Sequence, residues 1–388
     1  MPSKQRENAR KEKQLLKEQK IRRIIWIVIV LVVACLIVMK AAELDYGKIK
    51  SYFTDKSISM TTEADAYPYT LDSSAGVKLN FINDKIVALT DLSCTVLNPS
   101  DAKEIYSFSH GYSNPITSCA GNYIFTIDQG GTRLRLDNTS ENVYESKLET
   151  TVICADVAKN GNAVYAVRKS NGKQVLIVMN SSLKKLMNVP VTDGYVVAVA
   201  IDPSGRKCAY ATVSSKNAKL VTTLHTINVG ETEDKASFDF NDSNVFDLQY
   251  SNSGELYYVG TNAVAVVKNQ KHLKEVFKTG SVYSVTYNYT SDNELVYVYS
   301  KYSDASENFV VYINSGGKVK TKIKLSQKPK YVSANNDICV LFSNKIITYS
   351  LTKGEKKDTY KCDDSISAAN KFSSKIFVTR HQLVDVIG

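Results

Sequence analysis

The sequence predicts an all-β chain, folded as an eight-bladed β-propeller behind a single N-terminal transmembrane helix. Three observations lead to this fold class. An apolar run at residues 24–39 follows a basic tail. Beyond Gly47 there is little helical periodicity, and β-branched and aromatic residues alternate with closely spaced Gly, Asn and Asp turns. Finally, one strand–turn–strand pattern recurs eight times between residues 77 and 380.

The predicted transmembrane helix is the run IIWIVIVLVVACLIVM, residues 24–39. Its sixteen residues are all apolar and lie between Arg23 and Lys40. As a helix the run spans about 24 Å, slightly less than a hydrocarbon core of about 30 Å. Long basic side chains at both ends can close this difference by reaching to the headgroups. We assign the membrane anchor to Arg22, Arg23, Trp26 and Lys40.

Charge asymmetry predicts the orientation of this signal anchor. Residues 1–23 carry nine Lys/Arg and three Glu, which is +6 of the net +10 of the chain. The positive-inside rule therefore places the tail in the cytoplasm and everything after about Lys40 outside. Residues 40–56 are then a linker and residues 57–388 the propeller. Because most of the excess charge lies in the tail, nucleic acid is not an expected partner of the folded part.

Two alternatives to an uncleaved signal anchor are lipidation and signal-peptide cleavage, and with either one the bulk of the chain would still face outward. Val32 to Cys35 resembles a bacterial lipoprotein box with Cys35 as the lipidated residue, but the apolar run continues to Met39, where a lipoprotein turns polar. A cleaved signal peptide needs small residues before the cut. Met39 and Lys40 lie at that place, before Ala41 and Ala42, so the sequence fits a cleavage site poorly.

The repeated unit is a polar turn followed by a short apolar strand, as in SNSGELYYVG at 251 and DPSGRKCAYAT at 202. Successive units begin 36 to 49 residues apart, which is the period of a four-stranded propeller blade. A single sheet of four strands cannot bury both faces, whereas stacking between neighbours in a ring does so. We interpret each repeated corner as the turn between the two inner strands of a blade.

The ends of the repeat array predict how the ring closes. The last unit has only three strands, and its third strand is formed by residues 383–388. The segment AYPYTL at 66–71 can supply the missing outermost strand, where Pro68 is tolerated because an edge strand need not donate every N–H. Counting this composite blade gives eight blades, and a seven-bladed ring is the alternative.

These corners resemble the S-x-D-G-x-x-[LI]-x-[YF] corners of TolB-like and WD40-like propellers. The order of basic tail, membrane helix and propeller resembles an uncharacterised family of membrane-anchored propeller proteins of Gram-positive bacteria. The resemblance covers roughly residues 57–388 and is specific only for architecture. It implies that the protein binds a partner rather than catalyses a reaction.

Motifs of propeller enzymes and of metal sites are absent from the sequence. The only tryptophan is Trp26, so neither the Trp-bearing repeats of quinone-cofactor dehydrogenases nor the Asp-box of sialidases occurs. The four histidines form no HxxxH or HExxH, and no G-x-S-x-G elbow occurs. The seven cysteines lack CxxC spacing, and Cys119 and Cys154 are the one pair to consider for a disulfide. The sequence therefore predicts no catalytic residues, no cofactor and no metal.

Tyrosine is the one unusual residue type: it occurs 24 times, and seven of these tyrosines cluster in the sixth unit. Tyrosine suits half-buried strands, which is the structural interpretation. On a rigid ring, however, exposed tyrosines favour peptides or glycans. The candidate ligand-binding residues are Tyr283, Tyr287, Tyr289 and Tyr302.

The leading functional hypothesis is a non-enzymatic binding or scaffold platform in the cell membrane, single-pass, with its propeller outside. Its partner would be a protein or a cell-wall glycan, bound by loops at one face of the ring. The alternatives are an extracellular hydrolase or lyase, with catalytic groups converging from several blades, and a structural spacer. Acidic and His side chains at the channel mouth would favour the enzyme, whereas an apolar, Tyr-rich patch would favour binding.

Overall fold

Eight four-stranded antiparallel sheets make up the part of the chain that the computed structural model describes, residues 67–387. The predicted tail, membrane segment and linker, with their anchor residues and Cys35, lie outside the described residues. Within residues 67–387 no helix is long and apolar enough to cross a membrane.

The strands follow one another in chain order, four to a blade. Blades 1 and 2 contain β2 (Lys78–Ile82), β3 (Lys85–Leu89), β4 (Ser93–Leu97), β5 (Glu104–Ser109), β6 (Pro115–Ala120), β7 (Tyr123–Asp128), β8 (Arg133–Asn138) and β9 (Asn142–Lys147). Blades 3 and 4 contain β10 (Thr151–Val157), β11 (Ala163–Arg168), β12 (Gln174–Met179), β13 (Lys185–Val191), β14 (Tyr195–Ile201), β15 (Lys207–Lys216), β16 (Lys219–Asn228) and β17 (Ala236–Asn241). Blades 5 and 6 contain β18 (Val245–Tyr250), β19 (Leu256–Gly260), β20 (Val264–Lys268), β21 (His272–Phe277), β22 (Tyr283–Tyr289), β23 (Leu295–Ser300), β24 (Asn308–Ile313) and β25 (Val319–Lys324). Blades 7 and 8 contain β26 (Tyr331–Ala334), β27 (Asp337–Leu341), β28 (Lys345–Ser350), β29 (Lys356–Lys361), β30 (Ala368–Phe372), β31 (Lys375–Arg380), β32 (Leu383–Ile387) and β1 (Tyr69–Thr70).

The predicted ring closure is confirmed. The eighth sheet has the order β1-β32-β31-β30, so the strand before the first full blade completes the last one. Tyr69 pairs with Val384 and Thr70 with Leu383. The eight-bladed prediction is therefore correct, and the seven-bladed alternative is wrong.

The first strand of each blade is the innermost, and most of these strands contact the first strand of a neighbouring blade around a central channel. All eight repeated corners connect a first strand to a second, as predicted. They lie on one side of the ring, which we call the corner face. The chain passes from blade to blade on the other side, which we call the loop face.

Burial follows from stacking. The two middle strands of a blade are apolar and almost wholly buried, as in LVYVYS of β23, because each packs between two neighbouring sheets. Tyr257 of blade 5, for example, belongs to one apolar cluster with Leu295 and Val311 of blade 6. The fourth strand borders solvent and alternates polar with apolar residues, as in VKTKIK of β25.

The corners recur because neighbouring corners touch. The Asn83 side chain donates to the backbone oxygen of Gly121 in the next corner, at 3.2 Å. The Asn160 side chain donates to the oxygen of Ser204 at 3.0 Å. The same contact joins Asn252 to Ser291 at 3.1 Å. The polar turn is thus a folding device that links the blades on the corner face.

The close approach of corners gives a prediction for Gly121. Its φ is +59°, and a Cβ there would lie 2.7 Å from the backbone oxygen of Lys159. Gly172 has a φ of +81° but open space around it, so it serves as the control. We expect Gly172→Ala to cost about 1–2 kcal/mol for the left-handed backbone alone. Gly121→Ala should cost about 1–3 kcal/mol more, because the neighbouring corner must shift. Chemical denaturation of both variants measures the difference, and equal costs would contradict it.

Candidate functional site

Four consecutive inner strands share an irregularity where they leave the loop face. The pairing register shifts in β10 between Val152 and Cys154, in β14 between Val196 and Ala198, in β18 between Val245 and Asp247, and in β22 between Ser284 and Thr286. A β-bulge bends its strand and redirects a side chain. All four bulges lie around the same mouth of the central channel, in blades 3 to 6.

The bulged strands expose large apolar side chains at this mouth. We define the mouth patch as Tyr195, Val197, Phe246 and Tyr283, which are 67%, 41%, 52% and 43% exposed. Leu92 and Tyr302 are also exposed on turns of the loop face. The three other exposed large hydrophobics of the described chain, Ile105, Leu183 and Val319, lie at the corner-face ends of outer strands. Exposed apolar surface is therefore concentrated at one end of the channel.

A buried polar side chain fixes the strand that carries Tyr195. Gln174, 4% exposed, accepts a hydrogen bond from the backbone N–H of Val196 at 2.8 Å and donates to the oxygen of Gly194 at 3.4 Å. These bonds fix the start of β14, so that Tyr195 points outward. Tyr195 also lines a cleft of about 250 Å³ between blades 3 and 4, together with Arg168.

The four predicted tyrosines separate into two pairs. Tyr283 and Tyr302 are exposed on the loop face, Tyr283 within the mouth patch. Tyr287 and Tyr289 lie deeper along β22, where burial raises the pKa of both phenols. Tyr289 donates to Asp247 on the neighbouring blade at 3.1 Å. The role of all four in ligand binding remains a prediction.

Asp247 is the unusual titratable group of the channel wall. Its carboxylate is half-buried and accepts hydrogen bonds from its neighbour's backbone N–H at 2.9 Å and from Tyr289. Burial raises the pKa of Asp247 to about 7, and the charge of Asp156 adds to this effect, whereas both hydrogen bonds oppose it. A carboxyl group with such a shift is typical of functional sites. Asp156 on β10 also has a raised pKa through burial, despite hydrogen bonds from Ser118 and two backbone amides.

Stability should depend on the protonation of Asp247. Because its pKa in the folded state exceeds the ordinary value near 4, the folded state holds the proton more tightly than the unfolded chain. The stabilisation is complete below about pH 4 and is lost as the pH rises to about 7. We expect Asp247→Asn to be nearly neutral at pH 4.5 and stabilising by about 1–3 kcal/mol at pH 8, allowing for the access of channel water. Denaturation at both pH values measures this, and a pH-independent difference would contradict it.

A hydroxyl–imidazole–carboxylate series in blade 4 has the order of a hydrolytic relay but no access to substrate. His225 Nε2 lies 3.2 Å from Thr212 Oγ1, and its Nδ1 lies 2.8 Å from Asp234 Oδ2. Tyr210 stacks on the imidazole at 4.4 Å and donates to Asp234 at 3.0 Å. Thr212 is only 1% exposed. The series therefore satisfies buried polar groups between blades 3 and 4.

Metal-ligating and thiol groups are dispersed in the described chain. Residues 67–387 contain no group of three or more His, Cys, Asp or Glu placed to hold a metal ion. Cys119 and Cys154 are both free thiols and pack in separate apolar clusters, so the disulfide considered between them does not form. Cys119 instead lies beside Cys94 at the interface of blades 1 and 2.

Solved structures with this architecture belong to proteins of diverse roles. The C-terminal WD40 domain of Sif2 is 13% identical, with a TM-score of 0.57 over 82% of this chain and 97% of that one. AztD from Citrobacter koseri is 10% identical, with a TM-score of 0.55 over 82% and 90%. A quinohemoprotein alcohol dehydrogenase from Pseudomonas putida HK5 is 9% identical, with a TM-score of 0.52 over 81% and 71%. At these identities the likeness shows the propeller fold alone.

Comparison with sequences adds the family. A search of curated proteins found no significant match. One family model matches residues 67–388, from the closing strand to the end of the last blade. The protein therefore belongs to the family described as "Family of unknown function (DUF5711)".

Proposed function

We propose that this protein is a membrane-anchored binding platform whose loop face holds a protein partner outside the cytoplasm. The mouth patch carries this proposal. Four large apolar side chains on three consecutive blades stand exposed around one end of the channel, on rigid strands. Contiguous exposed apolar surface on a folded protein is typical of an interaction site.

The composition of the mouth patch favours a protein partner over a small substrate. Two tyrosines and a phenylalanine dominate it, and aromatic side chains are enriched in the cores of protein interfaces. They offer a large contact area at low conformational cost, because each has few rotatable bonds and is fixed on a strand. The mouth carries an apolar, Tyr-rich patch, which supports the platform over the hydrolase or lyase.

Anchoring and location complete the proposal from the sequence. The apolar run at residues 24–39 would hold the chain in the cell membrane as a single-pass protein, with the basic tail in the cytoplasm. The propeller would then face the outside, as in the family of Gram-positive membrane-anchored propellers that the domain order resembles. A cell-wall glycan is the alternative occupant of the mouth.

Co-purification from native membranes tests the proposed function. We expect the triple variant Tyr195→Ser, Phe246→Ser, Tyr283→Ser to lose its partner at least tenfold, because exposed aromatic anchors at an interface carry most of the binding energy. The matched control is Ile105→Ser, Leu183→Ser, Val319→Ser, which removes three exposed apolar side chains far from the mouth.

The control should retain the partner at the wild-type level. Equal loss in both variants, or retention in both, would contradict binding at the mouth patch. Recovery of glycan with no enriched protein would indicate that the mouth binds a cell-wall glycan instead of a protein. Thermal melting of both variants checks that neither change unfolds the ring.

A further inference from the structure

The charge of the propeller is concentrated in one segment. Residues 318–361 contain eleven lysines and three acidic residues, a net charge of +8, whereas residues 67–388 as a whole carry +5. The remainder of the propeller is therefore slightly acidic. Ten of the eleven lysines are exposed, and Lys345 is half-buried. The net charge of the whole chain does not reveal this local excess of lysine.

The fold places six of these eleven lysines on the outer edge of two adjacent blades. The outermost strands of blades 6 and 7, β25 and β29, carry six lysines and one aspartate. The six other outermost strands together carry three lysines and four acidic residues. Lysine on an exposed edge strand is a common device against aggregation. That need is the same for every blade, so it does not explain an excess on only two of them.

Most of these lysines lack an acidic partner within the described chain. Three of the eleven form ion pairs: Lys324 with Glu307 at 2.7 Å, Lys330 with Asp364 at 3.1 Å, and Lys357 with Asp337 at 2.5 Å. The other eight have no carboxylate within 4 Å among residues 67–387, and they are Lys318, Lys320, Lys322, Lys328, Lys345, Lys353, Lys356 and Lys361. We call the lysine-bearing outer edge of blades 6 and 7 the lysine edge.

Packing joins the two lysine-bearing strands into one surface. Thr321 of β25 donates to the backbone oxygens of Leu351 and Thr352, in the turn before β29, at 2.6 and 3.0 Å. Lys322 lies over the Phe309 ring at 4.5 Å, which leaves its ammonium at the surface of blade 6. The lysines of β25 and β29 form rows along a sheet edge, and such a surface fits many anionic groups in a layer better than one small anion.

The point where the chain enters the ring favours the bilayer as that layer. Residues leading from the predicted membrane segment reach the propeller at Tyr67 and enter β1, the outermost strand of blade 8. Blade 8 is next to blade 7, so the chain arrives on the same outer side as the lysine edge. The 27 residues between positions 39 and 67 reach at most about 95 Å, which is long enough for this side of the ring to lie against the bilayer that the predicted membrane segment would occupy.

We propose that the lysine edge rests on the anionic phospholipid headgroups of the bilayer that anchors the chain. This inference rests on the proposed membrane anchoring. Lysines near an anionic bilayer are attracted to its surface potential, and the attraction falls within about a Debye length, roughly 10 Å at 0.1 M salt. The ring then stands on its edge at blades 6 and 7, and the mouth of the channel stays open to a partner beside it.

Amine footprinting of the full-length protein in nanodiscs tests the lysine edge. One set of discs contains only neutral phosphatidylcholine, and the other contains 30% phosphatidylglycerol. We expect Lys320, Lys322, Lys356 and Lys361 to react at least threefold more slowly with an acetylating reagent in the anionic discs. Salt at 0.5 M should abolish this protection. The internal controls are four exposed lysines of blades 1 to 3 that form no ion pair within residues 67–387, namely Lys103, Lys147, Lys184 and Lys185.

A variant arm makes the result specific. Lys320→Gln, Lys356→Gln, Lys361→Gln should at least halve the protection of Lys322, whereas Lys103→Gln, Lys147→Gln, Lys184→Gln should leave it unchanged. Equal reactivity in the two kinds of disc, or equal protection of the control lysines, would overturn the proposal. So would protection in neutral discs by soluble polyphosphate without any in anionic discs, which would indicate a polymer as the ligand. Failure of the chain to remain with the discs would refute the anchoring itself.

Discussion

Replacing Asp137 by alanine is expected to destabilise the propeller by about 3–5 kcal/mol, because it removes the buried counter-ion of the mostly buried Arg135 guanidinium and leaves only the exposed Glu145 beside it. Asp137 is 0% exposed and accepts from Arg135 Nε at 2.9 and 2.8 Å, one contact to each carboxylate oxygen. The Tyr106 hydroxyl and the Asn142 amide also donate to it, at 2.8 and 3.1 Å. Arg135 in turn lies over the Phe108 ring at 4.0 Å. Chemical denaturation of the purified protein measures the loss.

Two further variants separate the ion pair from general damage to blade 2. Glu145 also contacts Arg135, at 3.3 Å, but it is 49% exposed, so Glu145→Gln should cost less than about 1 kcal/mol. The double variant Arg135→Met, Asp137→Leu should recover much of the loss, since removing both partners leaves no unpaired charge. An Asp137→Ala protein as stable as Glu145→Gln would show that the buried pair contributes no more to stability than the exposed contact of Glu145.

Replacing Phe377 by alanine is expected to cost about 3–5 kcal/mol and to loosen the closure of the ring. Phe377 is 1% exposed and belongs to the cluster between blades 8 and 1. Its ring meets Tyr67 at 5.8 Å and Phe81 at 5.9 Å. Since β1 is only two residues long, side-chain packing on either side of it, by Tyr67 and Leu71, must hold it in place.

Hydrogen exchange distinguishes opening of the ring from uniform destabilisation. The amide of Leu71 donates to the oxygen of Gln382 at 2.9 Å, so its exchange reports on the closing strand. In Phe377→Ala this amide should lose protection more than amides of blade 4, on the far side of the ring. Phe246→Ala makes the same change at a 52% exposed site and should alter stability by less than about 0.5 kcal/mol. Equal loss of protection in all blades would contradict a specific role in closure.

Much of the fold could be predicted because its signals are local. A polar corner such as Asp202 to Arg206 and the spacing of its copies are visible in the sequence, and they gave the correct number of blades. The segment around Pro68 was recognisable as a closing strand because an incomplete last unit required one. The stacking of blades then explains which strands are buried, and this could be predicted without knowing which residues contact each other.

The candidate site could not be predicted because it depends on positions relative to the ring. Tyr283 and Tyr289 belong to the same strand and look alike in sequence, yet one is exposed at the mouth and the other binds Asp247 inside the channel. The bulge that exposes Phe246 has no sequence signature of its own. The lysines of residues 318–361 are visible in sequence, but only the stacking of blades 6 and 7 makes them one edge.

Photo-crosslinking in living cells tests most directly whether the loop face holds a protein partner. A photoreactive amino acid is placed at position 246 in the mouth patch and, in a second protein, at position 183 on the corner face. Both sites are exposed apolar positions, so their intrinsic reactivity is comparable. We expect one dominant protein adduct from position 246 and none from position 183. The same adducts from both positions, or an adduct from position 183 alone, would contradict a binding platform at the channel mouth.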